Sequence, residues 1–371
     1  MYIGPKIWRY RSFISKIVFR QRVDMRKFLV MGIAMLSFGV YQGANAKEVL
    51  RFAYYLNPTH TYAAAAFEPF AKEVASATDG RIQINTFPSG QLGKSDASIR
   101  LLQTGIADIA FVATPYHGEE LTLSQFYNLP LGLKGSELAP IYWRAVHEPG
   151  KIKEELQKLG LRVLLVVANP SYELQSKSKK YMALADLKGQ KIRIPGPAYA
   201  EFLKDIGAIP TEIASTEQYE AIERNLIDAT IYTISSWSGF KLNEVLHTTT
   251  TNLNIVSAVL TVAMNERKFA ALDSKDQEIL VDLGRKYSEE GQKAIEREAT
   301  NAMKRYVEED SLQTYKWSDE EVEKLDGYLS EIREHWVADA KSKGYDSGAL
   351  VEEFERMEKN TEADNFDFKK Y

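Results

Sequence analysis

The stretch from Asp186 to Tyr232 begins DLKGQKIRIPGP and ends IGAIPTEIASTEQYEAIERNLIDATIY. Within it, residues 191–194 alternate polar and apolar side chains and are followed by a Pro-Gly-Pro breaker, which predicts a short strand. Arg193 lies at the end of that strand. A guanidinium presents a planar fork of donors that fits a carboxylate, so Arg193 is a candidate anion clamp if it faces a cleft. The alternative is a surface arginine paired with a nearby acid.

Two separated motifs resemble the signature of the solute-binding proteins of TRAP transporters, the tripartite ATP-independent periplasmic carriers, also called the DctP family. The first motif consists of Asp186-Leu187-Lys188-Gly189, Lys191-Ile192-Arg193, Gly207-Ala208-Ile209-Pro210, Glu217-Gln218-Tyr219 with Ala221, and Asp228. The second is Phe87-Pro88-Ser89-Gly90-Gln91-Leu92-Gly93. The resemblance covers nearly all of the chain after residue 47, and it is weaker beyond Lys268.

The expected fold class is α/β. Strand and helix patterns alternate after residue 50, which predicts right-handed crossovers and a largely parallel sheet with ligands at the carboxyl ends of its strands. The resemblance implies a periplasmic binding protein-like architecture, with two α/β lobes and a ligand cleft between them. We expect lobe I to comprise 47–168 and 258–298, and lobe II 169–257 and 299–371. A long helix starting at Ser274 is expected to brace them, and the acidic tail from Glu352 to be a solvated end.

The first 46 residues have the pattern of an export signal. Met25 is followed by Arg-Lys, an apolar segment and Ala44-Asn45-Ala46, so we expect Met25 to be the true start, residues 1–24 to be an extension, and cleavage to follow Ala46. Residues 1–46 carry eight Lys and Arg and one Asp, so their removal changes the formal charge from −4 to −11. A chain this acidic is a poor candidate for binding nucleic acid.

Sequence signals of catalysis are missing. The chain has no Cys, which excludes disulfides and thiolate catalysis, and its five His are scattered. It contains no G-x-S-x-G, H-E-x-x-H, P-loop or G-x-G-x-x-G motif. We therefore expect no enzyme activity, no cofactor and no metal site.

The resemblance also implies which residues bind ligand. In the family, the arginine at the position of Arg193 holds a substrate carboxylate. The positions carried over to the same crevice are Tyr55, Ser95, Thr114, Glu173, Ser215 and Tyr232, with Trp237 as a further candidate wall. A lone Trp on a helix is nevertheless more often part of the core.

The chain departs from the family pattern at two places. Many members have D-G-Q-E-N-P where this chain has Asp228-Ala229-Thr230-Ile231-Tyr232-Thr233, and many have a second arginine where this chain has Glu173. A Glu173 that points into the cleft would pair with Arg193 or repel a second ligand carboxylate; the alternative is that it faces solvent. This pattern favours a monocarboxylate with an apolar, aromatic or hydroxylated body over a C4-dicarboxylate.

The resemblance thus implies an extracytoplasmic receptor in the periplasm, which binds a small organic acid and delivers it to the small and large membrane subunits of a TRAP transporter. After processing, no stable membrane insertion is expected. Three alternatives remain open. They are a receptor that reports its ligand to a signalling partner, recognition of a neutral or aromatic solute, and a two-domain periplasmic enzyme with unfamiliar catalytic residues.

Overall fold

The structure is a computed structural model that describes residues 47–194 and 196–363. The predicted extension and signal sequence, at residues 1–46, lie outside the described residues. The described strands form two mixed sheets, one of five strands and one of six. Together with the helices around them, the sheets confirm the predicted α/β class.

The first sheet has the strand order β2-β1-β3-β10-β4. Its strands are β1 Glu48–Ala53, β2 Ile82–Phe87, β3 Ile109–Ala113, β4 Leu161–Ala168 and β10 Val259–Asn265. Strand β1 pairs in parallel with β2 and β3, whereas β10 is antiparallel to both β3 and β4. The sheet is therefore mixed rather than largely parallel, because the chain returns from the second sheet as β10 and runs against its neighbours.

The second sheet has the strand order β11-β9-β5-β8-β6-β7. Its strands are β5 Glu173–Ser176, β6 Lys191–Ile194, β7 Ile209–Glu212, β8 Ala229–Tyr232, β9 Thr248–Thr250 and β11 Gln313–Tyr315. The predicted strand around Arg193 is β6, which is parallel to both β7 and β8. The carboxyl ends of β6 and β8 therefore meet at the same edge of the sheet.

The helices cover the sheets and connect their strands. The α-helices are α1 Glu68–Ala77, α2 Ser98–Gln103, α3 Gly135–His147, α4 Lys151–Lys158, α5 Ala200–Asp205, α6 Gln218–Glu223, α7 Trp237–Phe240, α8 Glu266–Ala270, α9 Ser274–Glu309, α10 Asp319–Ser342 and α11 Ser347–Ala363. A π-helical turn, Ala63–Phe67, leads into α1. Short 3-10 turns include Ser95–Ala97, Thr114–Tyr116, Ser215–Glu217 and Ile234–Ser236.

Helix α9 is the predicted long brace. Its 36 residues correspond to about 54 Å at the usual helical rise. It lies directly on β4, because a Cβ at Gly284 would stand 2.1 Å from the carbonyl oxygen of Leu164. Farther along, Tyr306 of the same helix stacks on Trp237, which follows β8 of the second sheet. The helix therefore contacts both halves of the fold.

The C-terminal helix corrects one expectation. Leu350, Phe354 and Met357 of α11 are buried, and the helix packs against α3 and α4. The expectation of a solvated tail from Glu352 is wrong, because these three residues fall on one helical face. Helix α11 was placed with lobe II, yet it packs on helices that connect strands of the first sheet. The lobe boundaries themselves stay a prediction.

A helix that spans a membrane has to be both long and apolar. Among the described residues, no helix combines the length and the hydropathy that a membrane span would require.

Candidate functional site

A cavity, here called the inner cavity, lies where loops of the two sheets meet. The first-sheet side of its lining comprises Tyr55, Leu56, His60, Tyr62, Ala113, Pro115, Tyr116 and Leu260, and the other side Asn169, Tyr172, Arg193, Ser215, Tyr232 and Phe240. Several of these residues follow the carboxyl ends of β1 and β3 or end β6 and β8. Ligands of α/β sheets commonly bind at such ends.

Arg193 is fully buried at the end of β6. Its Nε donates to the carbonyl oxygen of Ile213 at 2.9 Å, and its Nη1 to that of Ile231 at 3.3 Å. The guanidinium carbon lies 5.1 Å from the centre of the Tyr232 ring. No carboxylate of the described residues forms an ion pair with Arg193. The positive charge of Arg193 is therefore surrounded by neutral groups alone. Burying a charge without an opposite charge costs free energy of folding.

Tyr116 joins the two sides of the cavity. It ends the 3-10 turn that follows β3, and its hydroxyl oxygen accepts a hydrogen bond from the Ser215 backbone N–H at 2.9 Å. The Nη2 of Arg193 lies 3.5 Å from the same oxygen. One phenolic oxygen from the first-sheet side is therefore the meeting point of two donors from the second-sheet side.

Aromatic rings form most of the remaining wall. Tyr172 and Tyr232 meet edge to face at 5.6 Å, and Tyr55 and Tyr116 at 6.2 Å. The Tyr172 hydroxyl accepts a hydrogen bond from the Asn169 amide at 2.6 Å, while Tyr62 donates to the other end of that amide. Burial raises the pKa of Tyr62, Tyr172 and Tyr232, so these phenols are neutral at physiological pH.

His60 adds a ring without adding charge. Its Nδ1 accepts a hydrogen bond from the Tyr62 backbone N–H at 3.3 Å, and its ring lies 5.2 Å from that of Phe240. Burial lowers the pKa of His60 to about 3, so the imidazole is neutral near pH 7. Among the described residues that line the inner cavity, Arg193 is therefore the single charged group.

Four of the predicted site residues meet at the inner cavity. These are Arg193, Tyr232, Tyr55 and Ser215. Two strand ends, the loop after β1 and the turn before α6 bring them together. Their contact with a ligand stays a prediction.

Glu173 does not reach the inner cavity. Its carboxylate accepts hydrogen bonds from the Thr250 hydroxyl at 2.5 Å and from the backbone N–H groups of Leu253 and Asn254, both at 3.2 Å. Burial raises its pKa, although these donors partly oppose the increase. The side chain is held by the turn after β9. It neither pairs with Arg193 nor faces a ligand there.

Three other predicted residues also lie away from the inner cavity. The Thr114 hydroxyl donates to the carbonyl oxygen of Val259 at 2.6 Å and so packs against β10. Ser95 is buried at the start of a 3-10 turn on the first-sheet side. The Trp237 indole donates to the Gln175 side chain at 2.9 Å and is fully buried, which makes it part of the core.

Sequence reasoning missed several lining residues, above all Tyr116, Tyr172, Tyr62 and Asn169. A signal was available for two of them. Asn169 and Tyr172 lie at the start of 169–257, just after the expected boundary between lobes I and II. Tyr62 precedes the π-helical turn, a feature that is often found at functional sites but has no simple sequence pattern.

A second depression, here called the outer groove, has a volume of about 760 Å³. Eight acidic residues line it: Asp96, Glu119, Glu120, Glu201, Asp205, Glu212, Glu331 and Asp339. Pro115 and Tyr116 line both the outer groove and the inner cavity. Over the part of the chain that the structure describes, no cluster of His, Cys, Asp or Glu is arranged to hold a metal ion.

Two curated proteins illustrate the sequence similarity. The outer membrane transporter protein TsaT of Comamonas testosteroni is 24% identical over 298 residues, which cover 78% of this chain and 85% of TsaT. The sialic acid-binding periplasmic protein SiaP of Vibrio cholerae is 24% identical over 249 residues, which cover 67% of this chain and 77% of SiaP.

Solved structures share the fold. A TRAP periplasmic solute-binding protein from Bordetella bronchiseptica with bound mandelate has a TM-score of 0.75 and 26% identity, covering 84% of this chain and 99% of that one. A TRAP solute-binding protein from Rhodoferax ferrireducens with copurified benzoate has a TM-score of 0.75 and 19% identity, covering 86% and 99%.

The family model described as bacterial extracellular solute-binding protein, family 7, matches residues 52–338. This range covers more than half of the chain and includes every residue that lines the inner cavity. The chain therefore belongs to family 7 of the bacterial extracellular solute-binding proteins, and it is a receptor for a small solute rather than an enzyme.

Proposed function

We propose that this receptor binds a small organic monocarboxylate in the inner cavity and delivers it to the membrane subunits of a TRAP transporter. The observation that carries the proposal is the charge of Arg193. The guanidinium is fully buried, and none of the described carboxylates neutralises it. A ligand carboxylate would supply the missing charge and accept charge-assisted hydrogen bonds from the guanidinium.

The number of charges supports a monoanion. A second carboxylate would need a second cation or strong donors, because burying an unpaired charge is costly. His60 is neutral at physiological pH, and the remaining lining residues are uncharged. Glu173 is held elsewhere by the Thr250–Asn254 turn, so it neither neutralises Arg193 nor repels the ligand.

The lining supports an apolar, aromatic or hydroxylated ligand body. Rings of Tyr55, Tyr172, Tyr232 and Phe240 offer faces and edges for stacking, and the tyrosine hydroxyls offer hydrogen bonds to a hydroxylated ligand. Similar proteins were solved with mandelate, benzoate, galacturonate and pyroglutamic acid. Each of these ligands has one carboxylate, which supports the proposed ligand class.

We place the receptor in the periplasm, with the small and large membrane subunits as its partners. The family is extracellular, and residues 25–46 have the pattern of an export signal. Uptake of a labelled ligand by intact cells tests this part of the proposal. Deleting the receptor gene is expected to abolish uptake, and restoring it without the membrane subunits is expected to leave uptake absent.

Ligand class is tested by calorimetric titration of protein that has been unfolded and refolded to remove any copurified ligand. The panel pairs each monocarboxylate with its neutral amide, for example benzoate with benzamide and lactate with lactamide, and adds the dicarboxylates succinate and phthalate. We expect at least one monocarboxylate to bind at least tenfold more tightly than its amide and than either dicarboxylate. Equal affinity for acid and amide would contradict the proposal.

A further inference from the structure

The side-chain amide of Asn169 lies between two tyrosine hydroxyls in the lining of the inner cavity. Its Nδ2 donates to the Tyr172 hydroxyl oxygen at 2.6 Å, and its Oδ1 accepts from the Tyr62 hydroxyl. All three side chains are buried. An amide N–H can only donate and an amide oxygen can only accept. Tyr62 is therefore a donor in this chain of hydrogen bonds, whereas the Tyr172 oxygen is an acceptor.

The hydroxyl proton of Tyr172 is not used in this chain of hydrogen bonds. A phenol can donate one hydrogen bond in addition to those that its oxygen accepts. Over the part of the protein that the structure describes, the Asn169 amide is the only group that forms a hydrogen bond with the Tyr172 hydroxyl. Burial raises the pKa of Tyr172, so the phenol keeps its proton at physiological pH. A neutral donor therefore lines the inner cavity, and leaving a buried donor unpaired costs free energy.

Backbone hydrogen bonds hold Asn169 and Tyr172 in place. The Asn169 N–H donates to the carbonyl oxygen of Ala258 at 2.8 Å, and the Tyr172 N–H donates to that of Val256 at 2.8 Å. In return, the Ile255 N–H donates to the carbonyl oxygen of Tyr172 at 3.0 Å. The segment that leads into the second sheet is thus paired with the segment that returns from it. A donor that is fixed in this way loses little conformational entropy when it binds a ligand.

Tyr172 and Arg193 contact the same aromatic ring of the cavity wall. The Tyr172 ring meets Tyr232 edge to face at 5.6 Å, and the guanidinium carbon of Arg193 lies 5.1 Å from the centre of the Tyr232 ring. One aromatic side chain therefore separates the neutral donor from the cation. A small organic acid is long enough to contact both groups at once.

We infer that Tyr172 determines ligand specificity: its hydroxyl donates to an uncharged acceptor oxygen of the ligand, such as a hydroxyl, ether or keto oxygen, while Arg193 binds the carboxylate. Asn169 is a positioning residue, because its amide fixes which way the Tyr172 hydroxyl donates. The inference rests on the proposed function, since it assumes that Arg193 binds a carboxylate. A ligand without such an oxygen leaves the Tyr172 donor unpaired, and this cost selects against it.

The test uses pairs of monocarboxylates in which one member carries an uncharged oxygen and the other an alkyl group of similar size. The pairs are methoxyacetate with butyrate, lactate with isobutyrate, and meta-methoxybenzoate with meta-ethylbenzoate. Each pair is titrated calorimetrically against the wild-type protein and Tyr172→Phe. We expect the affinity ratio of the oxygen acid to the alkyl acid to fall about three- to tenfold in the variant for at least one pair, because one neutral hydrogen bond is lost. The ratio cancels any general effect of the substitution on the site.

Tyr219→Phe is the matched control, because the Tyr219 hydroxyl bonds to Glu244 on the exposed surface at 2.9 Å. Its affinity ratios are expected to equal those of the wild-type protein. The alkyl acids do not use the Tyr172 proton, so they should bind Tyr172→Phe at least as tightly as the wild-type protein, which shows that the site is intact. An unchanged ratio in every pair that binds would overturn the inference. If no monocarboxylate binds the wild-type protein, the proposed function itself fails.

Discussion

Two buried arginines have opposite surroundings. Arg144 lies in α3 with 2% of its surface exposed, and its Nη1 is 2.7 Å from a carboxylate oxygen of Glu148, one helical turn away. Arg193 is fully buried, yet its protein partners are two carbonyl oxygens, a phenol and an aromatic ring. Arg144 is neutralised by the residue that directly follows its own helix, whereas Arg193 retains an uncompensated charge beside a cavity. Burial alone therefore does not distinguish the candidate site from the rest of the core, whereas the charge balance does.

Two less buried arginines resemble Arg144, because each of them also pairs with a carboxylate. Arg51 pairs with Asp108 at 3.0 Å, and Arg81 pairs with Asp276 at 2.7 Å. In both pairs, a nearly buried acid neutralises a cation from a distant part of the sequence. These pairs connect segments of the fold, so their loss is expected to reduce stability. Loss of Arg193 is expected to reduce binding instead.

The largest effect is expected from Arg193→Met. Removing one partner of a desolvated, charge-assisted pair costs about 2–5 kcal/mol, so carboxylate affinity should fall about 30-fold to several-thousand-fold. The free energy of unfolding without ligand should change much less, because the loss of the hydrogen bonds to the Ile213 and Ile231 carbonyl oxygens is offset by removal of an uncompensated buried charge. Titration and urea denaturation measure the two quantities.

Arg224→Met is the matched control, because Arg224 is exposed and only loosely paired with Glu220 at 3.6 Å. We expect it to change neither affinity nor stability measurably. Wild-type affinity in Arg193→Met would remove Arg193 from the site. A loss of stability comparable to the loss of affinity would show instead that Arg193 is structural, as Arg144 is.

Glu148→Gln is expected to have an intermediate effect, which falls on stability rather than on ligand affinity. The substitution removes the negative charge opposite Arg144, and the lost charged hydrogen bond should lower the free energy of unfolding by about 1–3 kcal/mol. Ligand affinity should stay at the wild-type value, because Arg144 does not line the inner cavity. A change in ligand affinity of more than about threefold would mean that the Arg144–Glu148 pair also affects binding, contrary to the distinction between the two arginines.

The last effect concerns the pH dependence of stability. The pKa of His60 is lowered to about 3 by burial, against about 6.5 in an unfolded chain. Above pH 6.5 the histidine is neutral in both states, so its contribution to stability is fully present. As the pH falls from 6.5 toward 3, only the unfolded state gains a proton, and stability is lost by up to about 1.4 kcal/mol per pH unit.

His60→Asn isolates this contribution. Buried acids such as Glu155 and Glu173, whose pKa values are raised, act in the opposite direction, but they cancel when the variant is subtracted from the wild-type protein. Urea denaturation at pH 7.5, 6 and 5 measures the difference. Carboxylate affinity of the wild-type protein should be constant between pH 8 and 5.5. A tenfold increase on acidification would mean that His60 becomes a second cation in the site.

Part of the lining of the inner cavity could be predicted from the sequence, for identifiable reasons. Alternation over residues 191–194, ended by a breaker, correctly places Arg193 at the end of a strand. Family positions lead to Tyr55, Ser215 and Tyr232, which line the inner cavity. Tyr116 could not be predicted, because its place in the lining depends on contacts with Arg193 and Ser215, which are 77 and 99 positions away in the chain.

Glu173 shows why side-chain direction is hard to predict. The family pattern places Glu173 near the cavity. From that position, its side chain can face either the ligand or the rest of the protein. The decision depends on backbone N–H groups of Leu253 and Asn254, some 80 residues away, which a single sequence does not connect to it. A carboxylate that already accepts these hydrogen bonds would lose them if it turned toward a ligand.

Some strands and one helix were not predicted from the sequence, and the reasons lie in their own residues. Strand β7 contains Pro210, which argues against a central strand but is tolerated here because β7 is an edge strand. Strands β9 and β11 have only three residues each, too few for a periodic signal. Helix α11 did carry a signal, since Leu350, Phe354 and Met357 recur at helical spacing and are buried together.

A crystal structure of the receptor with its tightest monocarboxylate tests the central claim most directly. We expect the ligand carboxylate within hydrogen-bonding distance of Arg193, with the aromatic rings of the inner cavity around the ligand body. A carboxylate bound elsewhere, with Arg193 still bonded only to the protein as it is here, would contradict the account.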